Sequence, residues 1–362
     1  MSTPKIMTVL GTRPDLIRMS KLLNLLDECN ELEHVFVHTG QHFSYNLDEI
    51  FYKEMKIRKP DFNLKVGQLK QTLAEQLSRL FIQIELVIDK VNPDYLLFLG
   101  DTNTVLASIL AARKNIKIIH IEAGMRSYDW SMPEEKNRII IDKLSDILYV
   151  YLDNYKAQAL KDGIDPTKIS VVGNIIVDIL KEWSPKISTS LLLNKLEPGN
   201  FIYSTIHREE NIESFQRLSD IIESLKTISK DKNLPVVLPL MPRTLKQLNK
   251  FKINYSDLNT IEPTGFAESL AMQKYARLVL TDSGTIQEES CILGTPCGVL
   301  RKSTERPETF ECKSGKLLNP SFRSIMDGIE ELFKLKLGWQ QPFGDGNSSE
   351  RILNDLINRL AK

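Results

Sequence analysis

Three short segments carry carboxylates where the chain reads as turning from strand into helix. Asp101 stands in Gly100-Asp101-Thr102-Asn103-Thr104, Glu122 in Glu122-Ala123-Gly124-Met125-Arg126-Ser127, and Glu134 in Met132-Pro133-Glu134-Glu135-Lys136-Asn137-Arg138. Each has a plain structural reading. Asp101 suits the N-cap of a helix at Thr104, Glu122 an ion pair with Arg126, and Glu134 the first turn of a helix opened by proline. Together they read differently, because taking a proton from carbon requires a positioned base and acid. Glu122 follows Lys117-Ile-Ile-His-Ile121, so it lies near an apolar interior, where burial raises a carboxyl's pKa.

A second group of residues suits an anion. Gly11-Thr12-Arg13-Pro14, with Arg18 a turn later, offers close backbone approach, helix N-terminal amides and two guanidinium groups fitted to phosphate oxygens. A tight turn with solvated arginines has the same composition. His207 opens His207-Arg208-Glu209-Glu210-Asn211 at a strand exit, outside any apolar stripe. Thr281-Asp282-Ser283-Gly284-Thr285 brings amides and hydroxyls to a helix start, as a diphosphate requires, with Glu288 or Glu289 one turn on to accept from ribose hydroxyls. Neither G-x-G-x-x-G nor G-x-x-x-x-G-K-[ST] occurs at these turns, so a dinucleotide fingerprint or P-loop is not indicated.

The elements that would place these residues alternate short apolar runs with longer helical patterns, the signature of parallel α/β architecture. Strands are predicted over Lys5–Leu10, His34–His38, Tyr95–Leu99, Lys117–Ile121, Ile147–Tyr151 and Ile169–Val172. A second series covers Phe201–Thr205, Val236–Leu240, Leu258–Ile261, Leu278–Thr281 and Cys297–Leu300. Helices are predicted over Leu16–Cys29, Gln71–Val91 and Thr104–Lys114, and an amphipathic one over Ser348–Lys362. In sheets of this class ligands bind beyond the carboxyl ends of the strands, where every residue named above falls.

The 362 residues exceed one usual hydrophobic core, so two α/β domains are expected: 1–180, then 181–347, joined near Ser184-Pro185 and Pro198-Gly199-Asn200, with the last helix at 348–362. Lys plus Arg equals Asp plus Glu, 47 each, which disfavours a nucleic-acid binder. No apolar run reaches the roughly 18 residues of a membrane span, and the start reads as a buried strand, so a cytoplasmic protein without membrane contact is expected. Cys29, Cys291, Cys297 and Cys312 lack metal-ligand spacing and read as reduced structural thiols.

Taken in order, Gly11-Thr-Arg-Pro14, Gly40-Gln41-His42, Gly100-Asp101-Thr102, His120-Ile-Glu122-Ala-Gly124, Pro133-Glu134-Glu135-Lys136-Asn137-Arg138, His207-Arg208, Asp282-Ser-Gly284 and Thr304-Glu305-Arg306-Pro307-Glu308 resemble the non-hydrolysing UDP-N-acetylglucosamine 2-epimerase family over nearly the whole chain. The resemblance implies a GT-B fold, two Rossmann-like doubly wound domains with the active site in the cleft between them, the last helix crossing back to the first domain, and a homodimer. It implies loss of UDP from C1 as the C2 proton leaves, then re-addition with inverted C2, without metal or nicotinamide, in the synthesis of surface polysaccharide precursors. Catalytic groups then fall on Asp101, Glu122, Glu134 and His207, and UDP ligands on Arg13, Arg18, His207, Ser283, Gly284, Glu289 and Arg306.

Some positions depart from the common pattern. Thr285, His207-Arg208-Glu209-Glu210-Asn211 and Ser303-Thr304-Glu305-Arg306-Pro307 resemble the branch acting on UDP-2-acetamido-2,6-dideoxy-hexoses, whereas Glu122–Ser127 and Gly173-Asn174 resemble the mainstream enzymes. A GT-B glycosyltransferase would share fold and UDP site but has no general need for three clustered carboxylates. A non-catalytic nucleotide-sugar sensor has none either. The family's second sugar-nucleotide site maps to Gln41, His42 and Gln71. Ser44 and Met241 replace two of its polar partners, which predicts a weakened site.

Overall fold

The computed structural model describes residues 3–41, 52, 54–67, 71–187 and 196–360. The chain divides into two compact units, Met1–Lys181 with Phe343–Lys362, and Glu182–Pro342. Each is an α/β unit built on one wholly parallel sheet.

The first sheet holds β1 (Lys5–Leu10), β2 (Glu33–His38), β3 (Phe62–Asn63), β4 (Tyr95–Leu99), β5 (Lys117–Ile121), β6 (Ile147–Val150) and β7 (Ile169–Val171). Their order is β3-β2-β1-β4-β5-β6-β7. After β1 the chain builds outward one way through β2 and β3, then returns to lay β4 on the other side of β1. The carboxyl ends of β1 and β4 therefore flank the topological switch point, where a doubly wound sheet opens a crevice for ligand. The second sheet repeats the arrangement with β8 (Ile202–Thr205), β9 (Val236–Pro239), β10 (Asn259–Ile261), β11 (Leu278–Thr281), β12 (Cys297–Leu300) and β13 (Gly315–Leu318), in the order β10-β9-β8-β11-β12-β13. Its switch point lies between β8 and β11.

Central strands such as Tyr95-Leu-Leu-Phe-Leu99 are apolar on both sides because helices cover both faces. Val87 and Ile88 from the Leu73–Val91 helix pack with Met7, Val9, Leu96 and Phe98 in the first unit. Leu218, Ile222 and Leu225 from the Phe215–Lys232 helix pack with Ile202, Leu238 and Leu280 in the second. The first helix begins at Arg13, earlier than expected, because proline is tolerated in a first turn and the Thr12 amide donates to the Asp15 carboxylate at 3.0 Å. The segment expected as one helix over Thr104–Lys114 starts as a 3₁₀ turn, Asn103–Ala107, before α-helix Ser108–Arg113. Strands β3 and β13 were not anticipated. Two residues cannot show a period, and Gly315-Lys-Leu-Leu318 shows no alternation to separate it from loop.

The chain's return begins at Phe343, and the Ser348–Leu360 helix docks within the first unit. Asp178 accepts from the amides of Ser348 (3.0 Å) and Ser349 (2.7 Å), and Asp355 accepts from Tyr149 (2.9 Å) and Arg359 (2.7 Å). Burial, with the Asp355 carboxylate beside it, pushes the Tyr149 phenol far above its ordinary range. Cys291 and Cys297 are buried, and burial pushes both thiols up, Cys297 to about 12, which fits structural and not reactive cysteines.

His38, at the end of β2, is 3% exposed, and neither ring nitrogen has a hydrogen-bond partner among the described residues. Burial pushes its pKa down to about 4. An unfolded chain binds a proton at this residue below about pH 6.5 while the folded chain resists until about pH 4, so folding stability declines as pH falls through that window. We expect this group alone to remove about 2 kcal/mol of stability between pH 7.5 and 5. Urea denaturation at both pH values, on the wild type and His38→Gln, measures it. Equal losses in the two proteins would exclude His38 as the cause.

Candidate active site

Two of the three carboxylates predicted from sequence, Glu122 and Asp101, lie at neighbouring strand exits in the first unit, linked through Gly100. Glu122 leaves β5 in a left-handed conformation, φ +72°, which costs a non-glycine residue about 1–3 kcal/mol. The amides of Glu122 and Ala123 both donate to the Tyr149 carbonyl, at 3.1 and 3.2 Å, and hold the turn. Its side chain, 5% exposed, is ion-paired with Arg18 from the first helix, and the Tyr151 hydroxyl lies 3.5 Å away. Arg18 also meets Asp15 at 3.3 Å, where burial pushes the Asp15 carboxyl up against the opposing charge of Arg18.

The ion pair of Glu122 with Arg126 does not form. Arg126 turns instead to Asp142 (2.7 Å) and Asp162 (2.8 Å). Arg18 is thus placed among the carboxylates. Gly100 lies against this pair: a Cβ there would come within 3.3 Å of the Arg18 guanidinium and 3.4 Å of the Glu122 carboxylate, and its φ of +69° suits glycine.

Asp101 follows directly. It does not cap the helix; Thr102 occupies the N-cap position, and the Asp101 carboxylate pairs with Arg138 at 2.5 Å. Asn137 donates to the Asp101 carbonyl at 2.9 Å. Arg138 and Glu134 are four residues apart on the Pro133–Leu144 helix and so share a face. That spacing carries Glu134 to the side on which Arg138 holds Asp101.

The two acids of this first turn do different work. Glu135 is buried and accepts from the amides of Ser127 (2.9 Å) and Tyr128 (3.0 Å) and from Arg138 (2.7 Å). Glu134 is half-buried, and its carboxylate has no hydrogen bond or ion pair among the described residues. The helix-start reading therefore fits Glu135, and Glu134 is left available for chemistry. Arg138 was visible in the motif but had no assigned role; its i, i+4 spacing from Glu134 was the signal.

In the second unit the residues gather at the β8/β11 switch point. Asp282, fully buried after β11, accepts from the amides of His207 (3.1 Å) and Arg208 (3.0 Å) and from Asn211 Nδ2 (3.1 Å). This carboxylate, legible in the sequence only within the Asp282-Ser283-Gly284 motif, fixes the loop that presents His207, whose side chain is 45% exposed with Nδ1 3.4 Å from Asp282. Ser283 is the N-cap of the Gly284–Leu293 helix, its hydroxyl accepting from the Ile286 amide.

Arg306 packs on Gly284, where a Cβ would come 2.5 Å from the guanidinium, and pairs with Glu288 at 2.8 Å and with Glu305. Glu305 is also held by Arg301 at 2.9 Å. Gln287 reaches the Arg306 carbonyl at 3.0 Å and Thr309 at 2.6 Å, tying this loop to the helix. Of the two acids left open for a ribose, Glu288 is committed to Arg306, and Glu289 accepts from Gln273 at 2.7 Å. Arg13 lies half-buried at the start of the first helix.

Of the second-site residues, Gln41 accepts from Thr104 at 3.2 Å, Gln71 is half-buried, and His42 lies outside the described residues, as does Ser44. Met241 is 40% exposed at a helix N-cap. Among the described residues no helix is long and apolar enough to cross a membrane.

Residues 24–357 match a family described as UDP-N-acetylglucosamine 2-epimerase. A protein of that name from Methanococcus maripaludis is 41% identical over 361 residues, covering 97% of each chain. A UDP-2,3-diacetamido-2,3-dideoxy-D-glucuronate 2-epimerase from Pseudomonas aeruginosa is 36% identical, covering 97% of this chain and 99% of the relative. The crystal structure of the Methanocaldococcus jannaschii UDP-GlcNAc 2-epimerase, in complex with UDP-GlcNAc and UDP, superposes with a TM-score of 0.91 at 36% identity over 98% of this chain and 99% of that one.

Proposed function

The chain belongs to the UDP-N-acetylglucosamine 2-epimerase family of isomerases, with their GT-B-type fold, and from that premise we propose that it interconverts UDP-GlcNAc and UDP-ManNAc. The observation that carries the reading is the carboxylate cluster: Glu122 against Arg18, Asp101 against Arg138, and Glu134 unpaired on the face of Arg138. In the proposed reaction a carboxylate takes the C2 proton while the C1–O bond breaks, releasing UDP and leaving 2-acetamidoglucal. UDP then adds back at C1 as a proton reaches C2 from the opposite face. Glu134, whose carboxylate has no competing partner among the described residues, is the group proposed to take or return a proton.

In the second unit His207 and the amides at Ser283–Gly284 are proposed to meet the growing negative charge on the departing diphosphate. Glu289 is proposed to accept from the ribose. Arg306 is proposed to shape the diphosphate site from its place on Gly284. The mainstream sugar is favoured over the dideoxy-hexose by the Methanococcus relative, whose own name carries UDP-N-acetylglucosamine. A transferase gains nothing from the unpaired Glu134.

Incubation with UDP-GlcNAc in D₂O, followed by NMR, tests the reading. Deuterium at C2 with appearance of UDP-ManNAc is expected. UDP release with transfer to an acceptor and no exchange would overturn it.

A homodimer is also proposed. Ile82 and Leu86 are 59% and 61% exposed on the Leu73–Val91 helix, which Lys114 ties to the next helix through Glu85 and Asp89. In the same unit the apolar side chains of Ile109, Ala112, Ile139, Ile140 and Leu144, with Arg113 and Lys143, line a groove. Such a patch favours a protein partner. Leu86→Glu is expected to shift the protein from dimer to monomer in light scattering, and a wild-type monomer would refute the assembly.

A further inference from the structure

His120 and Asp142 are buried to 1% and 0% exposure and were assigned no role, yet both turns that carry candidate catalytic carboxylates converge on them. His120 lies in β5, with its Nε2 2.9 Å from the carbonyl of Gly100, the residue before Asp101. Its Nδ1 is 2.7 Å from Asp142 Oδ1. Asp142 Oδ2 in turn accepts from the amide of Gly124, in the turn opened by Glu122, at 3.1 Å, and pairs with Arg126 at 2.7 Å. Two side chains thus bridge the exits of neighbouring strands.

Hydrogen bookkeeping fixes the donors. A carbonyl only accepts, so Nε2 carries a hydrogen toward Gly100. Burial by itself would push the Asp142 carboxyl up, but the hydrogen bond and charge of His120 and the charge of Arg126 outweigh it and hold the group below its ordinary value. An ionised Asp142 accepts on both oxygens, so Nδ1 donates as well. We propose that His120 and Asp142 are positioning residues for the epimerisation, a doubly donating ring and its carboxylate that lock the Gly100–Asp101 turn to the Glu122–Gly124 turn. The inference rests on the proposed role of those carboxylates.

The chemistry needs this because Asp101 and Glu122 stand on separate turns, and a displacement of about 1 Å in reacting groups costs about a hundredfold in rate. A link through buried charge-assisted hydrogen bonds also resists displacement better than neutral bonds do. Arg138 and Arg18 hold the carboxylates themselves; His120 and Asp142 hold the backbone beneath them.

The test uses the full chain with His120→Ala, His120→Gln and Asp142→Asn. His120→Ala is expected to lower kcat about a hundredfold, with KM and the Kd for UDP within about threefold. His120→Gln, which keeps an N–H toward Gly100, is expected to recover about tenfold of that loss and guards against a misfolded alanine variant. Unchanged kcat per folded molecule in the alanine and glutamine variants, or equal loss of kcat and UDP affinity, would overturn the proposal. In ¹⁵N-histidine spectra one ring is expected to show hydrogens on both nitrogens and to vanish in His120→Gln. A single protonated nitrogen would refute the donor pattern. If the wild type does not epimerise UDP-GlcNAc, the functional reading fails instead, and the spectra still decide the hydrogen-bond arrangement.

Discussion

Glu134→Gln is expected to lower turnover by at least about a hundredfold while leaving folding stability and UDP affinity close to wild type. Loss of a general acid or base removes about 10²–10⁴ in rate. Glutamine keeps the shape and the polar contacts of glutamate but cannot exchange a proton at the reacting carbon. Stability is spared because the Glu134 carboxylate has no partner among the described residues, whereas Glu135 beside it anchors two amides and Arg138.

Glu122→Gln and Asp101→Asn are expected to lower turnover similarly, with an added stability loss for Glu122, which leaves Arg18 buried against one carboxylate fewer. Initial rates and C2 deuterium exchange from UDP-GlcNAc, measured beside thermal melts, separate these effects. A Glu134→Gln protein that exchanges at the wild-type rate would remove it from the proton path. If it melts far lower, the helix-start reading describes it better.

Removing Arg306 should act through stability first. Its guanidinium is 5% exposed and neutralises Glu288, fully buried, together with Glu305, itself 2% exposed. Deleting one member of a buried ion pair leaves uncompensated charge and costs about 3–5 kcal/mol. Arg306→Ala is therefore expected to lose about that much in urea denaturation. Arg306→Lys keeps one charge but cannot bridge two carboxylates in a plane, and should fall between. UDP affinity, measured by calorimetry where the variant is still folded, is expected to drop about ten- to a hundredfold if the guanidinium also reaches the diphosphate. A variant as stable as wild type would mean the carboxylates are neutralised otherwise. Unchanged UDP affinity would place the diphosphate elsewhere.

Much of this protein was determined locally. Fully apolar five-residue strands such as β4, the helix start at Ser283-Gly284, and carboxylates at strand exits all follow from propensity, capping and period, which act within a few residues. The ordered motifs indicated the family because each is a short run whose backbone and side-chain chemistry travel together. Strand order was not local. Nothing near Gly11 or Asp101 says that β1 and β4 are neighbours, yet that pairing makes their exits a switch point, and β8 with β11 does the same for His207 and Asp282.

Ion-pair choice was not local either. Arg126, four residues from Glu122, was the nearest cation in sequence, but the left-handed turn at Glu122 and the pull of Asp142 and Asp162 carry the two apart. Arg18, 104 residues away, takes its place. Asp101 likewise left its expected cap for Arg138. The physical reason is common to all three. A buried charge must find an opposite charge inside the same packed volume, and which residues share that volume is settled only when the sheets and helices have packed.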